Sequence, residues 1–368
     1  MKTLVQRICR IVPLGMVLLL GLVPLLGASA QTDGAQIHIT QVDNSKFPQV
    51  TLYVSVTDAN GNPLPVDPSQ IQIYENGNLI QPGEISGSGE VGPLTTLLVM
   101  DISGSMNSSG KLAAAKAAAE SYVDQMRAGD QAGLVSFNTQ IAYVQTITSD
   151  HEALKQAIES LIAKGNTAMY DALVQGTQIL EPVPGRKAII ALTDGINNAS
   201  VHTADEVIQS IGAGGLSIST IGFGDPNEST GVTGLDVATL TSLAQRAGGV
   251  YGFANDPTTL QNLYQGLGRS LQSEYKITYT SPLTLHDGLN RTLTVSLAGT
   301  ASTQARYNPG GVLPEVARQA SWLLFGIMLV GLVVLLLVPG VLSLALARTG
   351  SKGGGLFGRK PKPRIHLK

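Results

Sequence analysis

The chain has 368 residues, 43% of them hydrophobic and 14% charged, which is enough for roughly two or three domains and too apolar for a disordered chain. Three basic residues before residue 11 and seven after residue 347 leave 14 basic against 26 acidic residues in the middle, a net charge of about −12 that argues against nucleic acid as a partner. The single cysteine, Cys9, lies within the first 30 residues, so a disulfide framework and thiolate chemistry are excluded for the rest of the chain.

Residues 1–30 read as a signal peptide. Lys2, Arg7 and Arg10 precede the apolar run 11–27, and Ala28-Ser29-Ala30 offers a small-residue cleavage site. An uncleaved anchor is the alternative reading. Residues 31–92 read as a β-rich segment. Val50 to Val56 alternates with period two, residues 58–63 (DANGNP) form a dense turn signal, and Ile71 to Tyr74 alternates again before Glu75-Asn76-Gly77-Asn78. Residues 83–93 are rich in Gly and Ser. The glycine pattern at Gly87, Gly89 and Gly92 precedes a strand instead of following one, so it reads as linker and not as a dinucleotide loop.

The pattern changes over 93–271, where continuous apolar runs alternate with helical stretches. This predicts an α/β fold with a doubly wound, mostly parallel sheet covered on both faces. A strand is expected over 94–100. A helix is expected over 111–127, with Leu112, Ala115, Ala119, Val123 and Met126 on one stripe. An edge hairpin over 133–137 and 141–144 follows, then a helix capped by Asp150 that carries Leu154, Ala157, Ile158, Leu161 and Ile162. Further helices are expected over 169–180, from about 204, over 235–246 ending at Gly248-Gly249, and over 258–271. Strands are expected over 187–192, 216–221 and 250–253.

Residues 272–308 alternate again at 274–280 and 291–297, and pairing with the strands before residue 81 would make one small β domain with the α/β domain inserted. A Pro/Gly linker is expected over 309–320 and a transmembrane helix over 321–347, with Trp322 at the outer interface and Pro339-Gly340 as a kink. The basic tail 348–368 then belongs on the cytoplasmic side, which makes a single-pass membrane protein with an extracytoplasmic ectodomain.

Chemistry concentrates at Asp101-Ile102-Ser103-Gly104-Ser105, directly after the first buried strand. Residues at i, i+2 and i+4 of an extended segment point the same way, so a carboxylate and two hydroxyls converge beyond the strand's carboxyl end, where open α/β sheets bind ligands. Such hard oxygens suit Mg²⁺, Mn²⁺ or Ca²⁺. The five histidines, in contrast, show no zinc-like spacing.

Asp-x-Ser-x-Ser at this place resembles the metal-ion-dependent adhesion site of von Willebrand factor type A domains. The resemblance extends to Gly165-Asn166-Thr167-Ala168-Met169 and to Ala191-Leu192-Thr193-Asp194-Gly195, and it covers about residues 94–270. It implies a metal site made of Asp101, Ser103, Ser105, Thr167 and Asp194. An acidic residue of an unidentified protein or peptide partner would then complete the ion's coordination. Asp171 is expected to support the loop, and Asp225 to serve a turn. The resemblance also allows the last helix to shift when a ligand binds.

The expected function is therefore cation-dependent protein binding or adhesion at the cell membrane, with no enzymatic activity. A structural subunit of a membrane complex is the alternative, since similar bacterial domains are found in assemblies that include ATPases. A metal-dependent hydrolase is a minor reading, because no general base stands near the motif.

Overall fold

A computed structural model describes residues 35–311, except 60, 88–90, 225–233 and 298–300, together with 325–335 and 337–338. The expected signal peptide at 1–30, Asp225, Trp322 and the basic tail 348–368 lie outside the described residues. The chain divides into two compact units, Met1–Val312 and Leu313–Lys368.

In the first unit β1 (Gln36–Asp43) pairs antiparallel with β2 (Gln49–Thr57). β3 (Ile71–Glu75) and β4 (Asn78–Ile80) form a hairpin whose two turn residues, Asn76 and Gly77, both take positive φ, as a two-residue turn matching the strand twist requires. β5 (Glu84–Ser86) lies in the stretch expected to be linker. The central layer then runs through β6 (Leu94–Asp101), α1 (Lys111–Val123), β7 (Gln131–Phe137), β8 (Ile141–Thr148), α2 (His151–Glu159), α3 (Met169–Leu180) and β9 (Arg186–Thr193). It continues through α4 (Ala204–Gln209), β10 (Ser217–Phe223), α5 (Val237–Arg246), β11 (Gly248–Ala254) and α6 (Pro257–Gln272). β12 (Tyr275–Thr280), β13 (Arg291–Leu297) and β14 (Ala301–Tyr307) close the unit.

The central sheet has the order β11-β10-β9-β6-β7-β8, with every pairing parallel except that of β8. β6 shows why its sequence is uninterruptedly apolar. Leu98 and Met100 pack with α1, α2 and α6 on one face, while Leu97 and Val99 pack with α3 on the other. The remaining strands make two four-stranded sheets, β1-β2-β12-β5 and β14-β13-β3-β4, which enclose one core of Leu52, Val54, Ile73, Ile277, Leu293 and Val295. The chain thus leaves this sandwich after β5, builds the α/β layer, and returns at β12 between β2 and β5.

The sandwich abuts the N-terminal edge of the central sheet. A Cβ added at Gly215, before β10, would lie 2.3 Å from the Val42 carbonyl, and one at Gly248 would lie 2.7 Å from that of Ile39. Both residues have positive φ, so glycine meets two demands there at once. The Gln41 side-chain amide donates to the carbonyls of Gly185 and Gly214. The carboxyl ends of the strands therefore face away from the sandwich.

Several boundaries differ from the sequence reading. α1 ends at Val123 and α2 at Glu159, so Leu161 is buried from a loop and Ile162, expected on the apolar stripe, is 72% exposed. α5 starts at Val237 because the Asp236 carboxylate accepts from the Thr239 N–H as its cap. Gly248 and Gly249 do more than end that helix, since they open β11. In the second unit residues 325–335 and 337–338 are helical with exposed apolar side chains. Among the described residues no helix is long and apolar enough to cross a membrane, and the rest of the span expected over 321–347 lies outside them.

Candidate metal centre

β6 delivers Asp101 to the carboxyl edge of the sheet, and a 3₁₀ turn over Gly104–Gly110 carries the chain round to α1. Two neighbouring loops are stitched to this turn through backbone groups. The Ile102 N–H donates to Phe137, Lys164 donates to the Ile102 carbonyl, and Gly104 donates to the Gly165 carbonyl. Gly165 has a φ of 82°, and a Cβ there would meet the Thr139 hydroxyl at 2.9 Å, so the loop presenting Thr167 depends on this glycine.

Asp101 is fully buried, with both oxygens engaged. Oδ1 accepts from the Ser103 N–H at 2.7 Å, and Oδ2 accepts from the Thr193 hydroxyl at 2.6 Å. Burial pushes its carboxyl up to about 6, opposed by the donors on Thr193 and Ser103 and reinforced by the nearby charge of Asp194. Ser103 Oγ and Ser105 Oγ lie 3.0 Å apart, and the Ser105 hydroxyl donates to Asp194 Oδ1 at 2.6 Å. Thr167 stands at the rim of this group. A Cβ built on Gly195 would be 3.6 Å from Thr167 Oγ1 and 3.9 Å from Ser105 Oγ, which puts both hydroxyls beside the same small gap. The structure thus gathers all five residues at one edge of the sheet. Asp101, Ser103, Ser105 and Asp194 do so through direct hydrogen bonds or through Thr193, and Thr167 does so by adjacency.

The donor set fits a hard divalent ion. Asp101 and Asp194 bring two carboxylates and Ser103, Ser105 and Thr167 three hydroxyls, while among the described residues no three His, Cys, Asp or Glu side chains converge. That mixture matches the preference of Mg²⁺ or Ca²⁺ for oxygen over imidazole or thiolate. One feature limits the fit. The Lys111 ammonium sits 2.8 Å from Asp194 Oδ2, leaving Oδ1 as the oxygen turned toward the serines.

Residues that the motif did not reveal complete the frame. Asn198 Oδ1 accepts from the Thr167 N–H at 2.9 Å, while the N–H groups of Asn198 and Ala199 donate to the Thr167 carbonyl. Asn197 Oδ1 accepts from the Met169 N–H. Asp171 accepts from the N–H groups of Val201 and His202 and contacts the His202 ring at 2.8 Å. Burial pushes the Asp171 carboxyl up, but the N–H groups of His202 and Val201 outweigh it and hold the group below its ordinary value. Asp171 therefore supports the loop from a helix. The sequence offered one clue to Lys111. A cation at the first position of α1 opposes the helix dipole, with no acidic residue in that turn to balance it.

Residues 96–197 match the model of the von Willebrand factor type A domain. A UPF0353 protein of Mycolicibacterium paratuberculosis is 28% identical over 202 residues, covering 48% of this chain and 60% of the relative. This chain therefore spans about 60% of the length of that relative. Among solved structures, a von Willebrand factor type A protein from Catenulispora acidiphila is similar at 17% identity and a TM-score of 0.45, covering 74% of this chain and 72% of that one. The conserved hypothetical protein BatB from Bacteroides thetaiotaomicron is similar at 25% identity and a TM-score of 0.42, covering 49% and 100%.

Proposed function

With a von Willebrand factor type A domain over residues 96–197 as the premise, we propose that this protein is a divalent-cation-dependent protein-binding module held at the cell membrane. The observation that carries this reading is the contact chain Ser103–Ser105–Asp194, with Thr167 at its rim and Asp101 braced behind it. Ser103, Ser105, Thr167 and Asp194 would hold Mg²⁺, or Mn²⁺ or Ca²⁺ in its place, with Asp101 close behind. Two carboxylates offset the ion's charge to about zero, so a carboxylate from a partner protein remains attracted to it. The carboxyl edge of the sheet faces away from the sandwich, which leaves that approach open.

We read no enzymatic role into the site. Asp101, its perturbed carboxylate, already has both oxygens engaged by Ser103 and Thr193 and is poorly placed to act as a base. The exposed apolar side chains of the helical residues 325–335 favour anchoring through residues 321–347, and the run of basic residues over 348–368 favours the tail inside and the ectodomain outside.

Titration calorimetry with Mg²⁺ tests the central claim. The wild-type protein should bind one ion, and Asp101→Ala should abolish the binding heat. Equal heats from the two proteins would end this reading.

A further inference from the structure

The loop between β12 and β13 presents three large apolar side chains to solvent. Leu283 is 47% exposed, Leu285 73% and Leu289 55%, all within seven residues. Single exposed leucines are ordinary, but three on one short loop are not.

The exposure is built in, because the backbone between the leucines is held at nearly every step. The Ser281 hydroxyl donates to the Leu283 carbonyl, and Arg291 Nη2 donates to that of Leu285 at 3.0 Å. The His286 ring lies edge-on to Phe47, with Nδ1 2.6 Å from the Pro309 carbonyl. The Leu289 N–H donates to Asp287. The loop's one formal charge, Asp287, is paired with Arg291 at 3.2 Å, so the surface has no lone ion to desolvate.

The same loop grips the end of the first unit. Gly288 donates to the Gly310 carbonyl, and Asp287 bridges to Gly311. A Cβ on Gly311 would lie 2.5 Å from the His286 carbonyl, so the two backbones are in direct contact. From Gly311 the chain has 11 residues to reach Trp322, at most about 40 Å when fully extended. The point where the chain leaves toward its apolar segment and the three leucines are therefore parts of one braced structure.

We infer that Leu283, Leu285 and Leu289 seat in the headgroup–acyl boundary of the bilayer, so that the sandwich stands on the membrane instead of swinging from a tether. This rests on the anchoring reading above. It adds a second, shallow contact of the kind that apolar side chains make at a lipid interface.

Trp322 is the only tryptophan, which gives a direct test on the full chain reconstituted in phosphatidylcholine vesicles with and without brominated acyl chains. Leu285→Trp in a Trp322→Phe background should give blue-shifted emission that brominated lipid quenches, and Leu289→Trp should do the same. Val201→Trp, 85% exposed at the carboxyl edge of the sheet, should stay unquenched. Quenching of Trp322 in the wild type with none at positions 285 and 289 would overturn the loop contact while leaving the anchor standing. A blue shift at 285 without quenching would assign the leucines to a protein partner or a second copy and would also overturn it. Failure to quench Trp322 itself would remove both the anchor and the inference.

Discussion

Lys111 is the residue that would most directly set the strength of the proposed metal site. Its ammonium lies 2.8 Å from Asp194 Oδ2, and the Asp194 side chain is wholly buried. Two unit charges 4 Å apart interact by about 4 kcal/mol at an effective dielectric of 20, so even a fraction of that repulsion against a bound cation is large. About 1.4 kcal/mol is tenfold in affinity. Lys111→Met should therefore bind Mg²⁺ at least about tenfold more tightly in calorimetry. The same variant should melt earlier without the ion, because Asp194 loses its buried partner. Unchanged or weaker ion binding would show that Lys111 does not oppose the cation. At this scale the sequence was only partly legible. Asp101, Ser103, Ser105, Thr167 and Asp194 stand out by motif and spacing, and the fold gathers them at one edge. Thr193, Asn197 and Asn198 carry no such signal, since their roles depend on hydrogen bonds across 28 to 92 residues of chain.

At the scale of elements, α3 and the loop after β9 work as a single brace. Asp171 on α3 accepts two N–H groups from residues 201–202, and that loop returns Asn197 and Asn198 to the backbone of Met169 and Thr167. Groups that orient metal ligands from behind typically change affinity by about 10- to 100-fold when removed. Asp171→Ala should weaken Mg²⁺ binding by that amount. Glu206→Ala should not, because it only opens the capping box of α4. Equal effects of the two would reduce the brace to general loop stability. Elements buried on both faces or capped by a clear residue were readable, as with β6 and with Asp150 ahead of α2. β14 was not, because only its last residue, Tyr307, is buried and its alternation is between small and polar side chains. The end of α2 was misplaced because Leu161 keeps the apolar period while leaving the helix.

At the scale of the molecule, the two crossings between sandwich and α/β layer meet at one buried guanidinium. Arg186 is 1% exposed. It donates to Glu274 at 2.6 and 2.9 Å, to the Gly92 carbonyl at 3.0 Å, and to the Leu271 carbonyl. Gly92 precedes β6 and Glu274 precedes β12, so one side chain ties the way in to the way out. Burial pushes the Glu274 carboxyl up, against the pull of Arg186 that favours its charged form. Arg127 holds the Gln272 carbonyl as well, so any travel of α6 along its axis has to break these contacts at its C-terminal end. Removing one partner of such a pair leaves a buried charge and typically costs about 3–5 kcal/mol, roughly a fifth or more of a domain's stability. Arg186→Met should therefore lower the melting temperature. It should also split thermal unfolding into two calorimetric transitions, one for the sandwich and one for the α/β layer, if the clamp is what couples them. A single transition shifted to lower temperature would place the coupling instead in the backbone contacts at Gly215 and Gly248, where β1 lies against the edge of the sheet with no room for a side chain.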